Sequence, residues 1–276
     1  MALLDHFGQP AVRQQLDTIL SGGRLPHAIL MYGEPGSGIL PGAISLANDI
    51  LCTSPQQGKA CRNCPSCNRA AKNIHPDLHF LLPLAGAKSL TEEYLGPWRE
   101  AISTNPWLDV FQWTQFCEVE GKQVDIHKED IQHVTADLSL QAFEGGNKVL
   151  VIWMAQFLAR EGNRLLKMIE EPPEQTYFIL VTNQREQVLP TIRSRCMQLY
   201  FPPMEQDEIL RLLVEEYKVD RNAAPLIARQ SVNNMGRAFS LAHNTMMNFK
   251  DEMASWFRAI IARKGHELGR WSTKMG

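Results

Sequence analysis

Three apolar runs limit what this chain can become: AILMY at 28–32, KVLVIWM at 148–154 and YFILVT at 177–182. None of them alternates apolar with polar, so neither face of such a strand can be left to water. Strands buried on both faces need helices above and below, and the intervening segments supply them. Val12, Leu16, Ile19 and Leu20 recur at helical spacing before Gly22-Gly23. So do Ile44, Leu46, Ala47, Ile50 and Leu51, and then Ile131, Val134 and Leu138 ahead of Gly145-Gly146. FLAREGNRLLKMIEE at 157–171 reads as one amphipathic helix stopped by Pro172-Pro173. EQVLPTIRSR at 186–195 is a short helical stretch, and MQLYF at 197–201 a last strand. Strands alternating with helices from about 28 to 201 imply βαβ units and a parallel sheet. After Pro202-Pro203 the pattern becomes helical only.

The first strand runs into GEPGSG at 33–38, and a helix follows. Strand, glycine turn and helix is the setting of a phosphate-binding loop, whose backbone N–H groups cradle phosphates. Gly33, Gly36 and Gly38 keep that scaffold. The loop's lysine and hydroxyl positions are Ile39 and Leu40, which offer neither a cation nor a metal ligand. Loss of one charge-assisted hydrogen bond costs roughly 1.5–3 kcal/mol, and hydrolysis suffers further because Mg²⁺ and lysine neutralise transition-state charge. A second element is missing too. Where a hydrolysing domain of this layout ends a strand in Asp-Glu, this one ends in Trp153-Met154. The expectation is a relic phosphate loop that holds no productive ATP. A glycine turn that never met nucleotide, or an ATPase with a divergent loop, are the competing readings.

Cys52, Cys61, Cys64 and Cys67 follow C-x8-C-x2-C-x2-C. Two consecutive C-x2-C spacings let four thiolates close a tetrahedral Zn²⁺ site with no open position, so the metal is expected to be structural. Unligated reduced thiols, or a redox pair, are the alternatives. Cys117 and Cys196 have no such companions in sequence. Net charge is −2, which argues against binding DNA over the whole surface. No apolar run approaches the ~18 residues of a membrane helix. Charges and glycines break up the first 30 residues, unlike a secretion signal. The expected location is the cytoplasm, without membrane contact.

PTIRSRC at 190–196 precedes the last strand. Arg195 there is either a cation near a helix C-terminus, favoured by the dipole, or a group aimed at a neighbouring subunit. The combination of GEPGSG, the cysteine cluster followed by His75-Pro76-Asp77, NRLLKMIEEPPEQTYFILVTN and TIRSRC resembles the clamp-loader subunits of bacterial DNA polymerase III, over residues 8 to about 245. Within that family the loss of both nucleotide elements resembles the delta-prime branch. The resemblance implies an α/β AAA+ core of P-loop type, with a parallel sheet flanked by helices, a zinc-binding insertion and then a small all-helical lid.

The domains so implied are an AAA+ core at 1–201, carrying the four-cysteine module at 52–67 and an insertion at about 84–122, a lid at 202–245, and at 246–276 the start of a truncated or short helical collar. It also implies a subunit of a DNA polymerase holoenzyme that is no enzyme by itself. Such a subunit works with gamma/tau and delta subunits to place the sliding clamp on primed DNA. Arg195, flanked by Ser194 and Cys196, would be an arginine finger completing a neighbour's ATP site in trans, and Arg193 its electrostatic neighbour. Thr182 and Asn183 stand at the family's sensor position and are read as vestigial. Trp98, Trp107, Phe111, Trp113 and Phe116 are expected to form a satellite core or a contact surface. Arg24, Lys148 and Lys167 are either DNA-phosphate contacts or solvated surface charge. Two other functions compete: a gamma/tau-type ATPase with a divergent loop, and a zinc-ribbon nucleic-acid module.

Overall fold

β1 (Ala28–Gly33) lies inside the sheet, with a strand on each side, and both of its faces are apolar. Ile29 and Met31 point into one hydrophobic core, Ala28 and Leu30 into another on the opposite face. In this computed structural model, which describes residues 9–22, 25–86, 89–144 and 146–246, the main sheet has five parallel strands in the order β2-β5-β6-β1-β7. They are β1, β2 (Leu78–Leu81), β5 (Lys148–Trp153), β6 (Thr176–Thr182) and β7 (Met197–Phe201). Ile29 pairs with Ile179 on one side and with Met197 on the other. β3 (Leu84–Ala85) and β4 (Val124–Asp125) form a separate antiparallel bridge.

One face of the sheet is covered by α1 (Pro10–Ser21), α2 (Ile39–Leu51), α4 (Thr91–Thr104) and α5 (Val110–Phe116). The other carries α6 (Lys128–Leu138), the 3-10 segment Ala155–Leu165, α7 (Leu166–Glu170) and α8 (Pro190–Arg193). The short helix α3 (Pro65–Ala70) belongs to the cysteine region. α9 (Gln206–Glu215), α10 (Ala224–Gln230) and α11 (Met235–Met246) build a third core, which Trp107 and Met204 join. The parallel α/β fold and the helical C-terminal unit are thus as the sequence implies. Among the described residues no helix is long and apolar enough to cross a membrane. Residues 247–276 and Arg24 lie outside the described residues, and with them nearly all of the expected collar.

Three expectations change. The stretch at 157–171 is not one helix: a 3-10 segment precedes α7, and Ala159 sits at φ 43°, ψ −133°. In the same segment Gly162 packs so close to Ile192 that a Cβ would lie 2.9 Å from its Cδ1. Lys148 is no surface cation. It is 5% exposed, and its ammonium donates to the carbonyls of Leu138 and Leu140, each at 2.6 Å. Trp98 and Trp113 are not a satellite cluster. They join the main core, where Trp98 stacks on Trp153 with centroids 4.9 Å apart and meets Trp113 edge-on at 5.5 Å. Phe111 and Phe116 remain exposed.

Gly33 sets how closely β1 and β7 approach, since a Cβ there would fall 2.1 Å from the Phe201 carbonyl oxygen. Backbone cannot step aside as a side chain can. Gly33→Ala is expected to lower unfolding stability by at least about 2 kcal/mol, read as a lower urea midpoint at unchanged slope. A midpoint equal to wild type would mean that β7 can shift outward freely.

Candidate functional site

The glycine loop folds as the sequence requires. β1 ends at Gly33, Gly36 and Gly38 take φ of +78° and +93°, and α2 starts at Ile39. Left-handed backbone at both positions is what glycine permits and a side chain resists. Ile39 and Leu40 are 7% and 5% exposed and face the core. Trp153, at the end of β5, is fully buried, and Met154 turns through a left-handed φ of 57°.

These residues line one cleft, together with Trp107, Leu108 and Asp109 from the loop between α4 and α5. The space left between them is about 40 Å³, room for about three waters; sites for small molecules run to roughly 300–1,000 Å³. Asn183 in its wall is tied to Gln156 and Thr182, which are not among the lining residues. Thr182 Oγ1 donates to Gln156 Oε1 at 2.7 Å, and Gln156 Nε2 donates to Asn183 Oδ1 at 2.8 Å. A wider groove of about 370 Å³ lies beyond Glu34 and Asn183, with Tyr32 and Tyr200 in its wall. Its arginine, Arg185, lies over the Tyr32 ring and is bonded to Gln198 and Glu186, and Glu34 adds a second carboxylate to the groove, which is therefore no open anion site.

Arg195 lies between α8 and β7 and is not among the residues lining the cleft. It is exposed, paired with Glu170 at the end of α7, and donates to the Thr191 carbonyl at 2.9 Å. Ser194 Oγ also donates to Thr191 O, at 3.1 Å. Cys196 turns inward, and burial pushes its thiol up to about 12. Arg193 is half-buried and paired with Glu186. Within the SRC stretch, therefore, Arg195 carries the exposed cation, Ser194 bonds locally and Cys196 packs. Lys167 is exposed.

The four cysteines converge. Their Sγ atoms all lie within 4.8 Å of one another, with Cys52–Cys61 at 3.6 Å and Cys61–Cys67 at 3.9 Å. A tetrahedron with Zn–S of about 2.3 Å needs sulfur separations of about 3.8 Å, whereas a disulfide needs about 2.05 Å, and all four are free thiols. Backbone N–H groups already point at sulfur: Ser54 and Cys61 to Cys52 Sγ at 3.4 and 3.3 Å, Cys67 to Cys64 Sγ at 3.4 Å. Such donors suit thiolates, so the site fits a tetrahedral cation. The buried carboxylate of Asp49 on α2 anchors it, accepting from Ala60 N at 2.9 Å and Arg62 at 3.2 Å. Ser66 ties it to the end of α2 through Leu51 O and to His75. Burial, opposed by Glu144, holds the His75 imidazole below its ordinary value. Asp77, also buried, accepts from the N–H groups of Phe143 and Glu144 at 2.7 and 3.1 Å. The His-Pro-Asp stretch is thus a brace between the cysteine region and the loop ahead of β5.

Sequence reasoning missed the residues that fill the cleft from the α4–α5 loop, and it missed Glu170 and Gln156. No local pattern announces which hollow a tryptophan will occupy. Glu170 could have been found, because it sits in the MIEEPP stretch next to the helix end.

Comparison with known proteins agrees with this layout. The family described as "DNA polymerase III, delta subunit" matches residues 8–205. DNA polymerase III subunit delta' of Bacillus subtilis is 29% identical over 94% of this chain and 67% of its own length. That of Escherichia coli is 29% identical over 83% of this chain and 58% of its own length. The gamma/tau subunit of Mycobacterium bovis is 25% identical over 92% of this chain and 38% of its own length. The chain thus spans about two thirds or less of these relatives. A solved gamma subunit-related protein of Thermotoga maritima aligns at 17% identity and a TM-score of 0.41, over 79% of this chain and 58% of that one; so low a score carries no argument. The match over most of the chain places it in the DNA polymerase III delta-subunit family, as a clamp-loader subunit of the delta-prime type.

Proposed function

We propose that this chain is a non-catalytic member of the clamp loader, helping to place the sliding clamp on primed DNA while turning over no ATP of its own. The observation that carries this reading is the filled cleft: Ile39, Leu40, Trp153, Trp107 and Leu108 stand where a nucleotide, its metal and its lysine would need room. Arg195, exposed and held outside the chain's own cleft, is the proposed arginine finger for the ATP site of an adjacent subunit, with Ser194 and Cys196 shaping its turn. The four cysteines hold a structural Zn²⁺. The partners in this reading are gamma/tau and delta subunits, with clamp and DNA reached through the complex, in the cytoplasm. Thr182 and Asn183, bonded to Gln156, sense no nucleotide.

The alternative of a gamma/tau-type ATPase predicts saturable, Mg²⁺-dependent ATP binding by the isolated chain. Titration calorimetry at millimolar Mg-ATP is expected to give no saturable heat. Binding with a Kd in the micromolar range would remove the non-catalytic reading and favour the ATPase. A zinc-ribbon DNA binder would need basic residues in the open, and Lys148 is instead consumed inside.

A further inference from the structure

Trp107 and Leu108 are adjacent in sequence yet belong to different cores. Leu108 packs with the sheet, and Trp107 packs among the residues of α9–α11. Both also wall the relic cleft. Trp107 Nε1 donates to the Tyr217 hydroxyl at 2.5 Å, and Tyr217 stands edge-on to Phe239 of α11 at 4.9 Å. Gly236 lets α11 come close: a Cβ there would meet the Trp107 carbonyl oxygen at 3.0 Å. Gln112 of α5 donates to Ser240 of α11 at 3.3 Å, and its side chain also accepts from Asn105. On the opposite wall, the N–H of Met235 donates to the Gly36 carbonyl at 3.2 Å. α11 is therefore held both by the glycine loop and by the segment that fills the cleft beside it.

A ligand lying between two halves of a molecule sets their relative position only as far as it binds one arrangement better than another. An occupant that is part of the chain never dissociates, and its effective concentration does not vary with metabolism. We propose that residues 107–109 are a built-in occupant of the relic nucleotide cleft, with Trp107 as the pin that fixes α9–α11 on the sheet independently of any nucleotide. Trp107 fills apolar space and satisfies its one polar atom on Tyr217, so it works as an internal ligand with a single directional bond. The inference extends the proposed function without using Arg195.

Hydrogen exchange of the full chain, read by mass spectrometry, tests it. Trp107→Ala is expected to speed exchange in α9–α11 about tenfold or more while amides of β1, β5 and β6 stay as in wild type. Millimolar Mg-ATP is expected to leave wild-type exchange in α9–α11 unchanged. Should Trp107→Ala not fold, Tyr217→Phe removes the bond while keeping the ring, Trp107→Phe removes it with a smaller ring, and a rise of about threefold or more confined to α9–α11 is expected in each. A rise spread evenly over sheet and helices, no rise at all, or slowing of wild-type α9–α11 by Mg-ATP would each overturn the proposal. ATP bound with exchange in α9–α11 unmoved would instead sink the non-catalytic reading and leave the pin standing.

Discussion

With Arg195 replaced by alanine, a clamp-loader complex rebuilt around this chain is expected to assemble normally and to hydrolyse ATP about a thousandfold more slowly at the adjoining site. An arginine supplied across an interface is worth about 10³–10⁵ in rate, or at least about 4 kcal/mol of barrier. The side chain can be released for that task. Its pairing with Glu170 is solvent-exposed on both sides, and pairs of that kind contribute about 0–1 kcal/mol. Leaving Glu170 for a phosphate therefore costs far less than the transition-state contact returns. Arg195→Lys is expected to rescue little, because a point charge cannot reproduce the planar fork. Arg193→Ala, at a half-buried arginine already paired with Glu186, is expected to leave turnover near wild type. The measurement is DNA- and clamp-stimulated phosphate release, with gel filtration to show that assembly is intact. Wild-type turnover in an intact Arg195→Ala complex would end the trans role.

The second large effect concerns metal. The cysteine region has almost no apolar core apart from the sulfurs: Cys52, Ala60 and Cys67, with Cys61 and Cys64 packed against them. Burial pushes the Cys52 and Cys67 thiols upward, whereas hydrogen bonds from the Asn63 backbone and from Thr53 pull Cys61 and Cys64 downward, and without a cation four sulfurs in contact hold one another poorly. One equivalent of Zn²⁺ per chain is expected in protein purified with its thiols reduced. Chelation, or Cys64→Ser, should raise exchange at Ala60 and Cys61 about a thousandfold, or about 4 kcal/mol of local stability, while β5 and β6 keep their protection. Acid should release the metal, because protons compete for the thiolates. Protein that holds no stoichiometric metal, with those amides equally protected before and after chelation, would show that hydrogen bonds to Asp49 suffice.

The sheet was readable because burial on two faces leaves a mark in sequence. In β1, β5 and β6 alternate residues enter opposite cores, and the runs are continuous as a result. β2 left no such mark: four residues, directly behind the His-Pro-Asp brace, are too few to show a period. The cysteine cluster was legible because ligand spacing is local. Trp98, Trp113 and Trp153 were not, since their meeting joins two helices and a strand end far apart in the chain. Lys148 misled for a related reason. A lysine before an apolar run reads as solvated, and only the folded loop brings the carbonyls of Leu138 and Leu140 to its ammonium. The break at Ala159 is likewise a feature that helix periodicity does not record.

The aromatic infill also bears on history. A lineage returning Lys to position 39 would bury an ammonium against Trp153 and Leu108, a change that lowers stability long before it restores any grip on phosphate. Threonine at 40 would meet the same closed wall. Each reversal is harmful until the tryptophans have gone, and their removal undoes the packing on which the molecule now stands. On the proposed non-catalytic reading, the surrender of nucleotide chemistry would work as a ratchet, passable in one direction by single steps and closed in the other.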